Sequence, residues 1–272
     1  MRTSDHFTAA SGSRIFHEVA GEGPSVLAIH GVGGGAFFFR GLAQRLGGRY
    51  RVLAVDLPGT GRSEAGPGMF SLAGWVADLG ELVAARMNPP VAIIGHSIGT
   101  IVALEAWAAW PERISRLVFV GGIPEPTEAG RLRLGARAEA LRRGSLAGLG
   151  ETVSAGNFAP ETVASRPEVV GLFERAFEGQ VLSSYVRSLE ILLSASATRI
   201  VSTVTVPCLS ISGAADLYAP PDVVTAFVAA LTHAPHSMAI LPNVGHLPFF
   251  EAPEEFARLV GRFLEEPREP GA

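Results

Sequence analysis

The apolar run Pro90-Val91-Ala92-Ile93-Ile94 and the five residues after it, Gly95-His96-Ser97-Ile98-Gly99, constrain this chain more than any other stretch. An apolar run that stops at glycine reads as a buried strand, and Ile98, Ile101, Val102, Leu104 and Trp107 then recur at helical spacing. Strand, sharp turn and helix are the setting in which G-x-S-x-G lifts a serine onto a strained elbow. The glycines have a steric reason: strand and helix crowd the positions two before and two after the serine, and only residues without Cβ let them pass. The five residues alone also suit a plain glycine-rich connection, so the rest of the chain has to decide.

Short apolar runs punctuated by Gly and Pro alternate with longer helical patterns, which predicts an α/β fold with a mostly parallel sheet and helices on both faces. Phe7 to Ala10 and Arg14 to Val19 form an expected opening hairpin around Ser11-Gly12-Ser13. Strands are expected at Ser25 to His30, Arg51 to Asp56, before Ser97 and at Leu117 to Val120, with helices at Gly41 to Leu46 and Leu72 to Arg86. From Pro124 to Thr203 the rhythm breaks, and only helical patterns occur, at Leu132 to Leu141, Val169 to Phe177 and Leu182 to Leu193. This predicts a helical insertion at 124–203 in a core formed by 1–123 and 204–272. The alternation then resumes with strand Cys208 to Ile211, helix Pro221 to Leu231, strand Ser237 to Leu241 and helix Pro253 to Leu264, and the tail from Pro267 is expected to fray.

At 272 residues and 47% hydrophobic content the chain can bury a sizeable single core. The net charge of −4, with every basic residue an arginine and no basic run interleaved with aromatics, argues against nucleic acid as a partner. Arg131 to Arg143 alternates with Leu and Ala as an amphipathic helix with a solvated face does. One cysteine, Cys208, lies in an apolar run and reads as a small core residue in a reducing compartment. With no apolar leader and no span of membrane length, a soluble cytoplasmic protein is expected, and its oligomeric state is not legible.

A serine hydroxyl needs a base within hydrogen-bond reach and a third group to orient that base. For Ser97 the candidate base is His246, in the loop Asn243-Val244-Gly245-His246-Leu247 after the last strand. The candidate acid is Asp216, in Ser212-Gly213-Ala214-Ala215-Asp216 after the Cys208 strand. Glu125 is its main rival, while Asp56 sits beside a Gly-rich loop whose amides it can accept and reads as a loop organiser. His30 and His96 read as packing or hydrogen-bonding residues. Oxyanion donors are expected from the N–H of Ile98, at a helix start where amides lack partners, and from that of Val32 in Gly31-Val32-Gly33. That glycine run lacks the lysine and spacing of a phosphate loop, so a nucleotide site is not expected.

With these motifs in order, namely His30-Gly31, Asp56-Leu57-Pro58-Gly59-Thr60-Gly61-Arg62-Ser63, Gly95 to Gly99, Gly213 to Asp216 and Gly245-His246, the chain resembles the α/β-hydrolase superfamily over nearly its whole length. The resemblance implies a nucleophile Ser97, acid Asp216, base His246, an oxyanion hole at Val32 and Ile98, a helical cap at 124–203, and no metal or organic cofactor. Serine at the elbow departs from the aspartate of haloalkane dehalogenases and epoxide hydrolases. It is similar to small bacterial capped esterases, enol-lactonases and carbon–carbon hydrolases, which implies a small-molecule substrate. The expected activity is cleavage of a small, largely apolar ester or lactone. The alternatives are hydrolysis of a ring-cleavage diketone, acyl transfer, or ligand binding without catalysis on the same fold. Phe37, Phe38, Phe158, Tyr185 and Leu247 are the expected substrate-lining residues, and Arg175 and Arg187 are considered for a substrate carboxylate.

Overall fold

The computed structural model describes residues 2–142, 144, 146 and 149–266. The first half comprises β1 (Arg2–Thr8), β2 (Arg14–Ala20), β3 (Ser25–Ile29), α1 (Arg40–Leu46), β4 (Arg51–Val55), α2 (Leu72–Arg86), β5 (Val91–His96), α3 (Ile98–Ala109) and β6 (Ile114–Val120). Among the described residues six helices follow: α4 (Glu128–Arg142), α5 (Gly150–Asn157), α6 (Pro160–Ser165), α7 (Pro167–Glu178), α8 (Leu182–Ser194) and α9 (Thr198–Val201). The chain then returns through β7 (Cys208–Gly213), α10 (Pro221–Ala229), β8 (His236–Leu241), α11 (Pro248–Glu251) and α12 (Pro253–Glu265). No helix among the described residues is long and apolar enough to cross a membrane.

The eight strands form one sheet in the order β1-β2-β4-β3-β5-β6-β7-β8. β1 and β2 are antiparallel to their neighbours, and every pair from β4 to β8 is parallel. β3 and β5 are buried along their whole length, as continuous apolar strands covered on both faces must be. Because β4 and β5 lie on opposite sides of β3, the chain reverses its direction of travel there, and the connections after β3 and β5 diverge to leave a crevice at their carboxyl ends. The loops carrying Val32 and Ser97 flank that crevice, and those carrying Asp216 and His246 leave the same edge from β7 and β8.

β1 starts at Arg2, five residues before the expected Phe7. Its first residues, Arg2 to Asp5, are polar and exposed at the sheet edge, where pairing with β2 uses main-chain groups and needs no apolar face. The α2 boundaries match expectation, helped by Ser71, whose hydroxyl accepts the Gly74 N–H at 3.1 Å as an N-cap. Cys208 is buried in β7, and burial pushes its thiol pKa upward. The expectation of a frayed tail at 267–272 lies outside the described residues.

Candidate active site

Ser97 sits between β5 and α3 with φ 53° and ψ −118°, a conformation L residues adopt only under constraint. Its N–H donates to the Val120 carbonyl at 3.0 Å and its carbonyl accepts the Thr100 N–H at 2.8 Å, so the elbow is held from both sides. A Cβ on Gly95 would lie 2.2 Å from the Gly99 carbonyl oxygen, and one on Gly99 would lie 2.5 Å from that of Ile29. Both glycines are therefore required by close backbone approach.

The His246 Nδ1 lies 2.8 Å from Asp216 Oδ2, and both residues are buried. Asp216 Oδ1 accepts the amides of Tyr218 at 2.8 Å and Ala219 at 2.9 Å. Burial pushes the Asp216 carboxyl up, but His246 and these two amides outweigh it and hold the group below the usual carboxylate range. An ionised Asp216 can only accept, so Nδ1 carries a proton, and in the neutral imidazole the lone pair then lies on Nε2. His246 and Ser97 line one cavity, together with Val32, Phe38, Tyr185 and Leu247.

The loop bearing His246 is tied to the helices that follow β6. The His246 N–H donates to the Asn157 carbonyl at 2.7 Å, at the end of α5. Glu251 Oε1 accepts the amides of Gly245 at 2.9 Å and Leu247 at 3.3 Å, on either side of the histidine. Its Oε2 accepts the Ala159 amide at 2.8 Å and the Thr162 hydroxyl at 2.9 Å. The His246 carbonyl accepts from His96 Nε2 at 3.0 Å, which leaves His96 Nδ1 unprotonated. Burial drives the His96 pKa well below the ordinary value, so this second imidazole is a neutral prop.

The loop after β3 is fixed in the same manner. The Gly34 N–H donates to the Gly31 carbonyl at 3.0 Å, with Gly33 at φ +76°, the third position of a type II turn. His30 Nδ1 donates to the Gly31 carbonyl at 2.7 Å while its Nε2 accepts the Leu57 amide at 2.9 Å, and burial lowers its pKa, so it too is neutral. The Gln180 side-chain amide donates to the Gly33 carbonyl. Among the described residues the Val32 N–H has no hydrogen-bond partner. Asp56 accepts the Ala36 amide at 2.7 Å and the Arg62 amide at 2.9 Å, which is loop organisation.

Glu125 is half exposed, pairs with Arg131 at 3.2 Å, and is not among the residues lining the cavity that holds His246, whose Nδ1 faces Asp216. Phe37 and Phe158 are not among the cavity-lining residues: Phe37 stacks behind Phe38 against Phe250, and Phe158 packs edge-on to Phe173. Consecutive residues of a short helix point in different directions, which sequence identity alone does not resolve. Arg187 reaches the Phe70 carbonyl and, like Arg175, is not among the lining residues, whereas Arg137, not among the expected substrate-lining residues, is. Its signal was its place on the stripe of Gly130, Leu134, Ala138 and Leu141, the buried face of α4. Tyr218 and Asn157 were also missed, since neither lies in a glycine-turn motif. Among the described residues no group of three or more His, Cys, Asp or Glu could hold a metal ion.

The family model described as "Alpha/beta hydrolase family" matches residues 26–259, from β3 into α12. The chain belongs to the alpha/beta hydrolase family. This hydrolase is 28% identical over 264 residues to a pimeloyl-[acyl-carrier protein] methyl ester esterase of Chromobacterium violaceum, covering 92% of this chain and 98% of the relative. It superposes on the enol-lactonase of Burkholderia xenovorans LB400 with a TM-score of 0.88 at 21% identity, covering 96% of this chain and 100% of that one. The esterase EaEST of Exiguobacterium antarcticum gives the same TM-score at 18% identity, covering 97% of this chain and 100% of its own. At these identities the two structures speak for the fold of the hydrolase.

Proposed function

We propose that this hydrolase cleaves a small, largely apolar carboxylic ester or lactone through an acyl-enzyme at Ser97. The observation that carries the reading is the division of Asp216, with Oδ1 taken by two amides and Oδ2 facing His246 Nδ1. It keeps Nε2 free as a base on the cavity that Ser97 lines.

In this mechanism Ser97 Oγ attacks the carbonyl carbon as its proton passes to His246 Nε2. The negative oxygen so formed is met by the N–H groups of Val32 and Ile98, the latter at the positive end of α3. The carbon–oxygen bond to the alcohol breaks and the alkoxide takes the proton from His246; a lactone opens and keeps its alcohol attached. Water then repeats the sequence on the acyl-enzyme and frees the acid and Ser97, with no metal or cofactor called for. Segment 124–203 acts as a cap over a core of 1–123 and 204–272. An esterase relative that matches along nearly its whole length supports an ester over a diketone.

Labelling with a fluorophosphonate probe tests the reading. The wild type should be labelled and Ser97→Ala should not, with hydrolysis of p-nitrophenyl butyrate reduced by about four orders of magnitude or more. Labelling that survives Ser97→Ala would overturn it, and turnover of a vinylogous diketone far above that of p-nitrophenyl butyrate would replace the ester with a carbon–carbon bond.

A further inference from the structure

Arg137 is the one Asp, Glu, Lys or Arg among the described residues lining the cavity that holds Ser97 and His246. It projects from the buried face of α4, between Leu134 and Leu141, and is itself half-buried. Its Nη2 donates to the Tyr218 hydroxyl at 2.7 Å and its Nη1 to the Tyr185 hydroxyl at 3.4 Å. The other arginines of α4 are matched differently: Arg131 pairs with Glu125, Arg142 with Glu139 and Glu190, and Arg133 reaches the Leu217 carbonyl. For Arg137 no carboxylate partner occurs among the described residues. A cation withdrawn from water is retained where something compensates it, and two neutral hydroxyls do so only in part.

We propose that Arg137, Tyr185 and Tyr218 form a subsite for a carboxylate on the substrate, so that the ester or lactone opened at Ser97 carries one free carboxylate on an otherwise apolar frame. The inference rests on the acyl-enzyme reading above and narrows its substrate class. The fork of N–H groups left over on Arg137 matches a planar carboxylate. Each tyrosine oxygen accepts from the guanidinium, which leaves its own O–H to donate to the same anion. A single guanidinium balances a single charge, and with no second cation on the described wall a phosphate dianion would stay half compensated. The Tyr218 ring lies 4.9 Å from that of His246, so the subsite adjoins the base and the carboxylate falls within a short chain of the reacting carbonyl.

The test compares two matched pairs: monomethyl with dimethyl glutarate, which puts the charge on the acyl side, and 3-acetoxypropanoate with its methyl ester, which puts it on the alcohol side. In at least one pair the wild type should favour the anion in kcat/KM by about tenfold or more, the scale of a charged hydrogen bond. Arg137→Gln should erase most of that preference through KM, Arg137→Lys should keep part of it, and Tyr218→Phe should weaken it. A neutral ester preferred in both pairs, or a preference unchanged in Arg137→Gln, overturns the subsite; a merely structural Arg137 lowers both members of a pair alike and leaves their ratio intact. Calorimetric titration of glutarate into Ser97→Ala separates the two claims, because it involves no acyl-enzyme. Binding that is lost in Ser97→Ala/Arg137→Gln supports the subsite, and absent or unaltered binding overturns it. Failure of fluorophosphonate labelling would strike the acyl-enzyme reading instead.

Discussion

Asp216 gives each carboxylate oxygen a separate task, and the division sets what an amide would do there. In Asp216→Asn one terminal group must face the Tyr218 and Ala219 N–H groups, so the oxygen goes there and the NH2 turns to His246. The imidazole then offers Nδ1 as acceptor and carries its proton on Nε2, where the serine needs a lone pair. We expect kcat on p-nitrophenyl butyrate to fall by about 10⁴ with unchanged circular dichroism. Near-normal turnover would show that another acid orients the base. That Ser97, Asp216 and His246 gather at one end of the sheet was legible in sequence because each follows a strand end in a short turn, a setting that glycine and proline announce. Arg137 was not legible, because an arginine in an amphipathic helix reads as solvated until the neighbouring turns are known to be buried.

At the scale of elements, the elbow is a crossing of β5 and α3 too tight for a methyl group. Gly95→Ala places Cβ against the backbone of Gly99, which no rotamer can relieve. We expect a loss of about 1–3 kcal/mol or more in urea unfolding, together with a displaced Ser97 and reduced fluorophosphonate labelling. Glu251, at the end of α11, is the reciprocal case, a half-buried acceptor set against four donors. Glu251→Gln turns an NH2 toward two of them, and a loss of about 1–3 kcal/mol is expected in the same assay, with a lower kcat because the amides flanking His246 lose their acceptor. An unchanged unfolding midpoint would show that those bonds hold nothing in place. The long α2 and α12 match their expected bounds to within a residue, whereas α4 begins at Glu128, four residues before the expected Leu132, because its first turn carries no apolar spacing. The short α5, α6, α9 and α11 were not legible, because so few turns carry no periodic signal and Pro at the start of α6 and α11 reads equally as a loop.

For the whole molecule, buried ionisable groups set the response to acid. Burial lowers the pKa of His17, His30 and His96, so the folded chain binds fewer protons than the unfolded one below about pH 6.5. Their contribution is complete above that pH and is lost as pH falls toward the lowered folded values. Asp56 and Asp216 are held below the usual carboxylate range, which adds a second loss below about pH 4 as pH falls through their folded values. Urea midpoints measured from pH 8 to pH 3 should therefore fall in two stages, with slopes of up to about 1.4 kcal/mol per pH unit for each group titrating. A flat profile between pH 7 and pH 5 would mean that the buried imidazoles are already charged. The parallel sheet was readable from the alternation of elements, whereas the strand order, with β4 and β5 on opposite sides of β3, was not, because local spacing does not encode which strands become neighbours. The main-chain hydrogen bond from the His246 N–H to the Asn157 carbonyl gives the molecule a last property of engineering interest. A chimera that took its 124–203 segment from a relative would import a new mooring for the His246 loop along with a new pocket wall, so under the proposed mechanism turnover and selectivity would be inherited as one trait.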